Sequence, residues 1–365
     1  MYSHDSRIVL TLDAGGTNMV FSAIQGNVEI VEPYCLPAYA DDLQKCLDTL
    51  IAGFTYVWRR LPKAPVAISF AFPGPADYKN GIIHDLPNFP SFRGGIPLGP
   101  FLQEHFQIPV FINNDGNLFA YGEALTGALP ALNERLRQKG CDKEYRNLIG
   151  ITFGTGFGSG VVLNNRLLTG DNDCGGDVWV FRNKLYPDKI AEESVSIRAI
   201  TRVYNEYADV QDETLAPSDI FRIAEGDMPG DRHAAMRSLA QFGEVAGDVI
   251  AHLLTFADGI VVVGGGIIGA AKYIMSAVIH ELRSTLSTFS GERFSRLQMD
   301  VIDADNADSF NRAMMETQRK IQIPNTDKRI SYNPYKKTFI MTTSLGTSAA
   351  ISRGAYAYAL QQLAD

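Results

Sequence analysis

The amino-acid sequence predicts an α/β protein of two domains, or one large one. Three observations lead there. Short β-rich apolar runs alternate with segments of helical period along most of the chain. A strand–glycine turn–strand unit over Ile8–Ile24 recurs at Leu148–Leu163, about 140 residues on, which is the scale of one domain. The chain has 365 residues, against a typical domain of about 150.

The elements follow in order. Ile8–Leu12 and Met19–Ile24 read as strands joined by the turn Asp13-Ala14-Gly15-Gly16-Thr17-Asn18. From Asp41 to Trp58 the apolar residues Leu43, Leu47, Leu50, Ile51, Phe54 and Val57 fall at helical spacing with one buried face. Val66–Phe70 is a strand ended by Phe72-Pro73-Gly74-Pro75, and Ala76–Pro100, rich in Pro, Gly and Asn, reads as a binding loop. Val110–Ile112 is a strand, and Gly116–Leu125 a helix with Asp115 at its N-terminal end. Leu148–Thr152 leads through Gly154–Gly160 into Val161–Leu163. Helices are expected over Ser194–Tyr207, Ser218–Ala224 and Arg232–Ala257. Next come a buried-type strand at Ile260–Val263, Gly264-Gly265-Gly266, and a helix from Ala270 to Leu286. Gly291–Lys337 is polar and yields no pattern. Thr338–Thr342 is a strand and Ser348–Leu360 the last helix.

Composition narrows the function. Hydrophobic residues make up 45% and charged residues 20%, the balance of an ordinary folded protein. The net charge of −8 argues against a nucleic-acid surface, which needs a basic patch. Cys35, Cys46, Cys141 and Cys174 form no CxxC pair and have no suitably spaced histidine, so zinc is not expected. No apolar run reaches the roughly 18 residues of a membrane span. Met1–Arg7 is polar and lacks a signal-peptide pattern, so a cytoplasmic location with free thiols is expected.

Three glycine turns and one aspartate carry the chemistry. In Asp13–Asn18, glycines allow close backbone approach and free N–H groups form an anion-binding concavity; Thr17 adds a hydroxyl. A carboxylate beside phosphates calls for a cation between them, so Asp13 is placed to hold Mg²⁺, directly or through water. The bland alternative is a hairpin turn. Gly154–Gly160 has four glycines, more than a hairpin needs, and Thr155 offers a donor to a phosphoryl oxygen. Gly264–Gly269 fits GxGxxG after a valine-rich strand, so it reads either as a dinucleotide fingerprint or as a turn packed on an adenine ring. Asp115 ends a strand and opens a helix. It reads either as an N-cap or as a carboxylate at the sheet's carboxyl edge that takes a proton from an attacking hydroxyl. Asn113 and Asn114 beside it suit a polyhydroxyl ligand.

Together these pieces resemble the sugar kinases of the actin-like ATPase superfamily, in the same order along the chain, and most nearly the ROK family (repressor, open reading frame, kinase). Asn113-Asn114-Asp115-Gly116-Asn117 through Ala120, Gly122 and Glu123 resembles its catalytic signature. Pro73-Gly74-Pro75, with Gly81 and Asn88, resembles its sugar loop, and Leu345-Gly346 with Gly354-Ala355 its C-terminal helix entry. The resemblance implies two actin-like (ribonuclease H-like) lobes, mixed β-sheets flanked by helices, with an interlobe active-site cleft. The N-terminal lobe would be 1–115 plus 346–365 and the C-terminal lobe 116–345, with a polar insertion at about 291–337.

It also implies ATP-dependent phosphorylation of a hexose or N-acetylhexosamine, glucose first. ATP would be bound by Gly15, Gly16, Thr17, Asn18, Gly154, Thr155, Gly156, Gly265 and Gly266. The sugar would be held by Gly74, Asn88, Asn114, Asp115, Asp177 and Glu193, with Asp115 the general base and Asp13 on Mg²⁺. A homodimer is the family's usual minimum.

The chain departs from the pattern at Gly175–Val180, where family members carry Gly-Glu-x-Gly-His and then zinc cysteines. Here Asp177 stands for the Glu and Val180 for the His, and no cysteine follows. Only twelve residues precede Asp13, too few for the DNA-binding domain of the family's repressors. A non-catalytic sugar or nucleotide sensor, and an NAD-dependent oxidoreductase built on the Gly264 turn, are the alternatives.

Overall fold

The opening hairpin forms as its pattern dictates. Strands β1 (Ile8–Ala14) and β2 (Asn18–Gln25) pair antiparallel from Ile8↔Gln25 to Ala14↔Met19. Alternation along β1 sends Ile8, Leu10 and Leu12 to one face and Val9 to the other; all four are buried. The computed structural model describes residues 1–86, 89–315 and 319–364. These divide into two compact units, 1–131 with 159–177 and 343–365, and 132–158 with 178–342.

In the first unit, β3 (Val28–Glu29) and β4 (Tyr34–Pro37) pair along β2. Helix α1 (Leu43–Trp58) starts one residue after Asp42, whose carboxylate accepts the Lys45 N–H at 3.1 Å as its N-cap. Strand β5 (Ala67–Ala71) pairs parallel with β1. The segment expected as loop carries the short strands β6 (Ala76–Asp77) and β7 (Ile82–Ile83) and the start of α2 (Leu98–Phe106). Pro100 stands in the first turn of α2, where its missing N–H has no helical acceptor to lose. Strand β8 (Val110–Asn113) pairs parallel with β5 and leads into α3 (Asp115–Thr126). Ile8, Leu10, Phe21, Leu50, Phe54 and Phe70 build a core under α1. Each fully buried side chain of this size stabilises by about 1.5–3 kcal/mol.

Helix α4 (Ala128–Gln138), with Pro130 in its first turn, carries the chain into the second unit at Leu132. There β9 (Leu148–Phe153) forms; β10 (Phe157–Leu163) starts next, and from Ser159 the chain belongs again to the first unit, where β10 makes a hairpin with β11 (Arg166–Leu167). A 3₁₀ turn at Ala191–Glu193 precedes α5 (Ile197–Tyr207), so the helix begins three residues later than expected. Helices α6 (Pro217–Glu225) and α7 (Arg232–Ala257) match their patterns, and α7 is capped by Asp231. Strand β12 (Ile260–Gly264) is followed by α8 (Ala271–Leu282). Here the expected helix to Leu286 stops short. Ser284, Thr285 and Ser287 compete with helical hydrogen bonding, and β13 (Thr285–Ser287) pairs with β14 (Arg293–Ser295) instead.

The unpatterned polar segment contains β15 (Asp300–Asp303), α9 (Ala307–Met314), β16 (Arg319–Gln322) and β17 (Arg329–Tyr332). Strand β18 (Lys337–Thr342) then joins β12 and β15, giving the parallel order β9–β12–β18–β15.

The last helix, α10 (Thr347–Gln362), returns to the first unit. Tyr356, Ala359 and Leu360 cover Val9, Ile24 and Ala67 on the sheet face away from α1. It crosses α3 so closely that a Cβ on Gly122 would stand 1.9 Å from the Ala350 carbonyl oxygen. A Cβ on Gly354 would stand 1.9 Å from that of Leu118. This crossing explains why residues 116–131 lie in the first unit rather than the second, where the sequence reading had put them. Residues 159–177 differ from that reading in the same way: a Cβ on Gly116 would meet the Ser159 oxygen at 2.5 Å.

Candidate active site

In the first unit the site forms at the carboxyl ends of β1, β5 and β8, the edge where open α/β sheets take ligands. Asn113 is buried, and its side-chain oxygen accepts from the Asn114 N–H (2.8 Å) and the Asn117 amide (3.0 Å). Asn114 is extended, and its Oδ1 accepts the Gly116 N–H at 2.8 Å. Asn114 is therefore the N-cap, and the cap reading of Asp115 is corrected: Asp115 is the first helical residue. Its own Oδ1 also accepts the Gly116 N–H at 2.8 Å.

Asp115 is exposed at the head of α3. Desolvation raises its pKa above the ordinary carboxylate value. The Gly116 and Asp115 N–H groups oppose that rise, and the Asp13 charge adds to it.

Tyr78 lies at the centre of this group, and the sequence reading did not single it out. Its hydroxyl donates to the Phe72 carbonyl at 3.0 Å, takes a hydrogen bond from the Asn114 amide, and feels the charges of Asp115, Asp177 and Asp173. Burial pushes its pKa up, so it stays a neutral phenol. A Cβ on Gly74 would meet the Tyr78 oxygen at 3.0 Å. The Lys79 N–H donates to Asp173 at 3.1 Å. Gly74, Asn114, Asp115 and Asp177 thus gather around Tyr78, whereas Asn88 lies outside the described residues. The signal for Tyr78 was its place four residues after Gly74 in a loop already marked for binding.

The first glycine turn is tight, with the Gly15 N–H donating to the Asn18 carbonyl at 2.9 Å. Gly15, Gly16, Thr17, Asn18 and Asp13 are all exposed.

Glu123, quoted with the signature, is wholly buried. It accepts the Ala128 N–H at 2.7 Å and the Thr343 hydroxyl, and so ties α3 to the entry of α10. Its role is structural.

The second unit brings the other two glycine turns side by side. They leave adjacent parallel strands, registered Gly264↔Thr152. Gly265 has φ +103°, and a Cβ there would lie 2.1 Å from the Phe153 carbonyl oxygen, so the fold itself requires this glycine. Gly154 and Gly266 differ: both lack positive φ, and nothing lies within 4 Å of a Cβ placed on either. Packing does not explain them.

The Gly154–Phe157 turn is clasped from the start of α5. The Ile197 N–H donates to the Gly154 carbonyl (3.0 Å), and Glu192 accepts the Phe157 N–H (3.0 Å). Arg198 holds Glu192 (2.9 Å) and Glu193 (2.8 Å) together. Glu192 and Arg198 were missed, because only folding puts Glu192 on the glycine turn and Arg198 on Glu192. Val180, where the family pattern has histidine, is exposed.

The family model described as "ROK family" matches residues 9–310. The chain belongs to the ROK family. A solved glucokinase structure from Parabacteroides distasonis is similar over 99% of both chains, with 52% identity and a TM-score of 0.88. A glucokinase of Thermotoga maritima is 28% identical over 73% of this chain and 84% of its own length. An N-acetyl-D-glucosamine kinase of Vibrio cholerae is 29% identical over 47% of this chain and 51% of its own. The α/β architecture of this ROK protein, mixed sheets flanked by helices, is the actin-like fold of those kinases.

Proposed function

We propose that this ROK protein transfers the γ-phosphoryl group of ATP to a hydroxyl of a hexose, glucose first, or of an N-acetylhexosamine. The observation that carries this reading is the carboxylate of Asp115 at the head of α3, beside Asn114 and Tyr78, in a chain 52% identical to a glucokinase. Asp115 takes the hydroxyl proton as the sugar oxygen attacks phosphorus. Gly74, Asn88, Asn114, Asp177 and Glu193 orient the sugar. The N–H groups of Gly15 and Gly154 close their own turns and these glycines let the phosphates come near, while the N–H groups of Gly16–Asn18, Thr155 and Gly156, with the Thr17 and Thr155 hydroxyls, receive phosphate oxygens, and Gly265 and Gly266 lie along the adenosine.

Asp13 fits a hard cation: it is an exposed oxygen donor whose charge already repels Asp115. Mg²⁺ there would be held by this one carboxylate together with water and phosphates. Bound there, it neutralises phosphate charge. The protein is further proposed to be a cytoplasmic homodimer.

A coupled ADP-release assay over a sugar panel, with and without Mg²⁺, tests the reading; no sugar-stimulated release together with no ATP binding sinks it. The raised Asp115 pKa sets the pH profile. The base must be ionised, so kcat/KM falls as pH drops through a midpoint above the ordinary carboxylate value of about 3.9. A limb at or below that value removes Asp115 from the role.

Gly154→Val places its side chain in open space, so the thermal melt is expected to move little. The KM for ATP is expected to rise about tenfold, roughly 1.4 kcal/mol of lost binding. An unchanged KM detaches the turn from the nucleotide.

Arg198→Met is expected to raise KM for ATP and for the sugar together, with Arg198→Lys restoring part. The two steady-state titrations read it, and a change in neither shows that the clasp is idle.

A further inference from the structure

Two β-ribbons of the second unit stand out from everything else in the molecule. All six strand residues of β13–β14 and all eight of β16–β17 are exposed. Each ribbon nevertheless has an apolar face. In β16–β17 the register sets Ile321 opposite Ile330 and Arg319 opposite Tyr332, so Ile321, Ile330 and Tyr332 share one side, at 43%, 50% and 48% exposure. The other side carries Lys320, Gln322, Arg329 and Ser331. In β13–β14, Leu286 stands opposite Phe294, at 56% and 57%, while Ser287 and Arg293 face the other way. Phe289, in the connecting turn, is fully exposed.

Such ribbons are incomplete by themselves. A two-stranded hairpin is marginally stable in water, and a third strand or a packed apolar face is what stabilises it. Open strand edges also invite pairing. Charge indicates what completes them. Residues 319–332 hold four of the chain's 33 Lys and Arg and one of its 41 Asp and Glu. The ribbon is therefore a basic projection on a chain whose net charge is −8, and it complements another copy of the same chain. Nucleic acid would meet the basic side but leave Ile321, Ile330 and Tyr332 in water.

We propose that the β16–β17 ribbon is a self-association surface: its apolar face packs on a second copy of this chain, and its Lys and Arg side meets acidic residues there. This builds on the homodimer proposed above and names its surface.

Sedimentation equilibrium of the full chain, over a concentration series and at low and high salt, tests it. The wild type is expected to dimerise, and Ile321→Glu with Ile330→Glu to raise the dimer dissociation constant at least a hundredfold. High salt is expected to raise it about tenfold by screening. Circular dichroism and thermal melts confirm that the variant is folded. Should it not fold, hydrogen exchange of the wild type gives the answer, since amides of 319–332 are expected to exchange more slowly at high protein concentration than at low. A wild-type monomer throughout overturns both the dimer and its surface. A dimer with the same constant in the variant, or with exchange of 319–332 independent of concentration, keeps the dimer and overturns the ribbon.

Discussion

Asp115→Asn is expected to lower kcat about a thousandfold, within the 10²–10⁴ that a general base supplies. The substitution keeps an oxygen able to accept the Gly116 N–H at 2.8 Å, and it leaves the Asn114 cap alone. The head of α3 and the protein's melting temperature are therefore expected to hold. Affinity for a non-hydrolysable ATP analogue, read by calorimetry, is also expected to stay within about twofold, because it is the sugar hydroxyl that loses its proton acceptor. The pH profile gives the complementary signature: the acid limb assigned to Asp115 is expected to vanish from the residual activity. A variant that keeps near-wild-type turnover would falsify the base assignment while leaving the nucleotide turns untouched.

The second large effect is structural. Gly354→Val puts a branched side chain where a single Cβ already stands 1.9 Å from the Leu118 carbonyl oxygen and 3.1 Å from the Gly122 nitrogen. Both obstacles are backbone, so no rotamer change relieves them, and α10 must move off α3. The expected loss is about 3 kcal/mol or more, beyond the range of ordinary overpacking. Urea unfolding followed by circular dichroism measures it. Gly122→Ala is expected to act alike through the Ala350 oxygen. A midpoint unmoved by either substitution contradicts the close crossing.

How much of this was legible beforehand depends on the kind of signal. The first hairpin, α7 from Arg232 to Ala257 and the strands before each glycine turn were readable because period and turn chemistry agree there. Helices α2 and α4 were hidden by Pro100 and Pro130, which read as breakers although each sits in a first turn. The ribbons were hidden because a two-faced strand of three or four residues, at least half of them charged or polar, gives too short an alternation to stand out.

At the site, Asp115, Asn114 and the glycines announced themselves by residue type at the end of a strand. Tyr78, Glu192 and Arg198 did not, because a tyrosine in a loop and an ion pair at a helix start are ordinary until folding brings them to Asn114 or to the Phe157 N–H. The Gly264–Gly269 pattern shows the reverse. Gly265 is required by the close approach of Phe153 whatever lies beside it, so part of that motif's apparent message is packing.

The return of α10 to the first sheet has a consequence for how the protein is made. Residues 178–342, the bulk of the second unit, leave the ribosome before the helix at 347–362 exists. Val9, Ile24 and Ala67, translated at the outset, wait uncovered for Tyr356, Ala359 and Leu360. The usual order of synthesis, in which the N-terminal part finishes first, is inverted. The first unit to be started is the last to be completed, and a nascent chain halted anywhere before Thr347 presents one bare face of its opening sheet to whatever chaperones it meets.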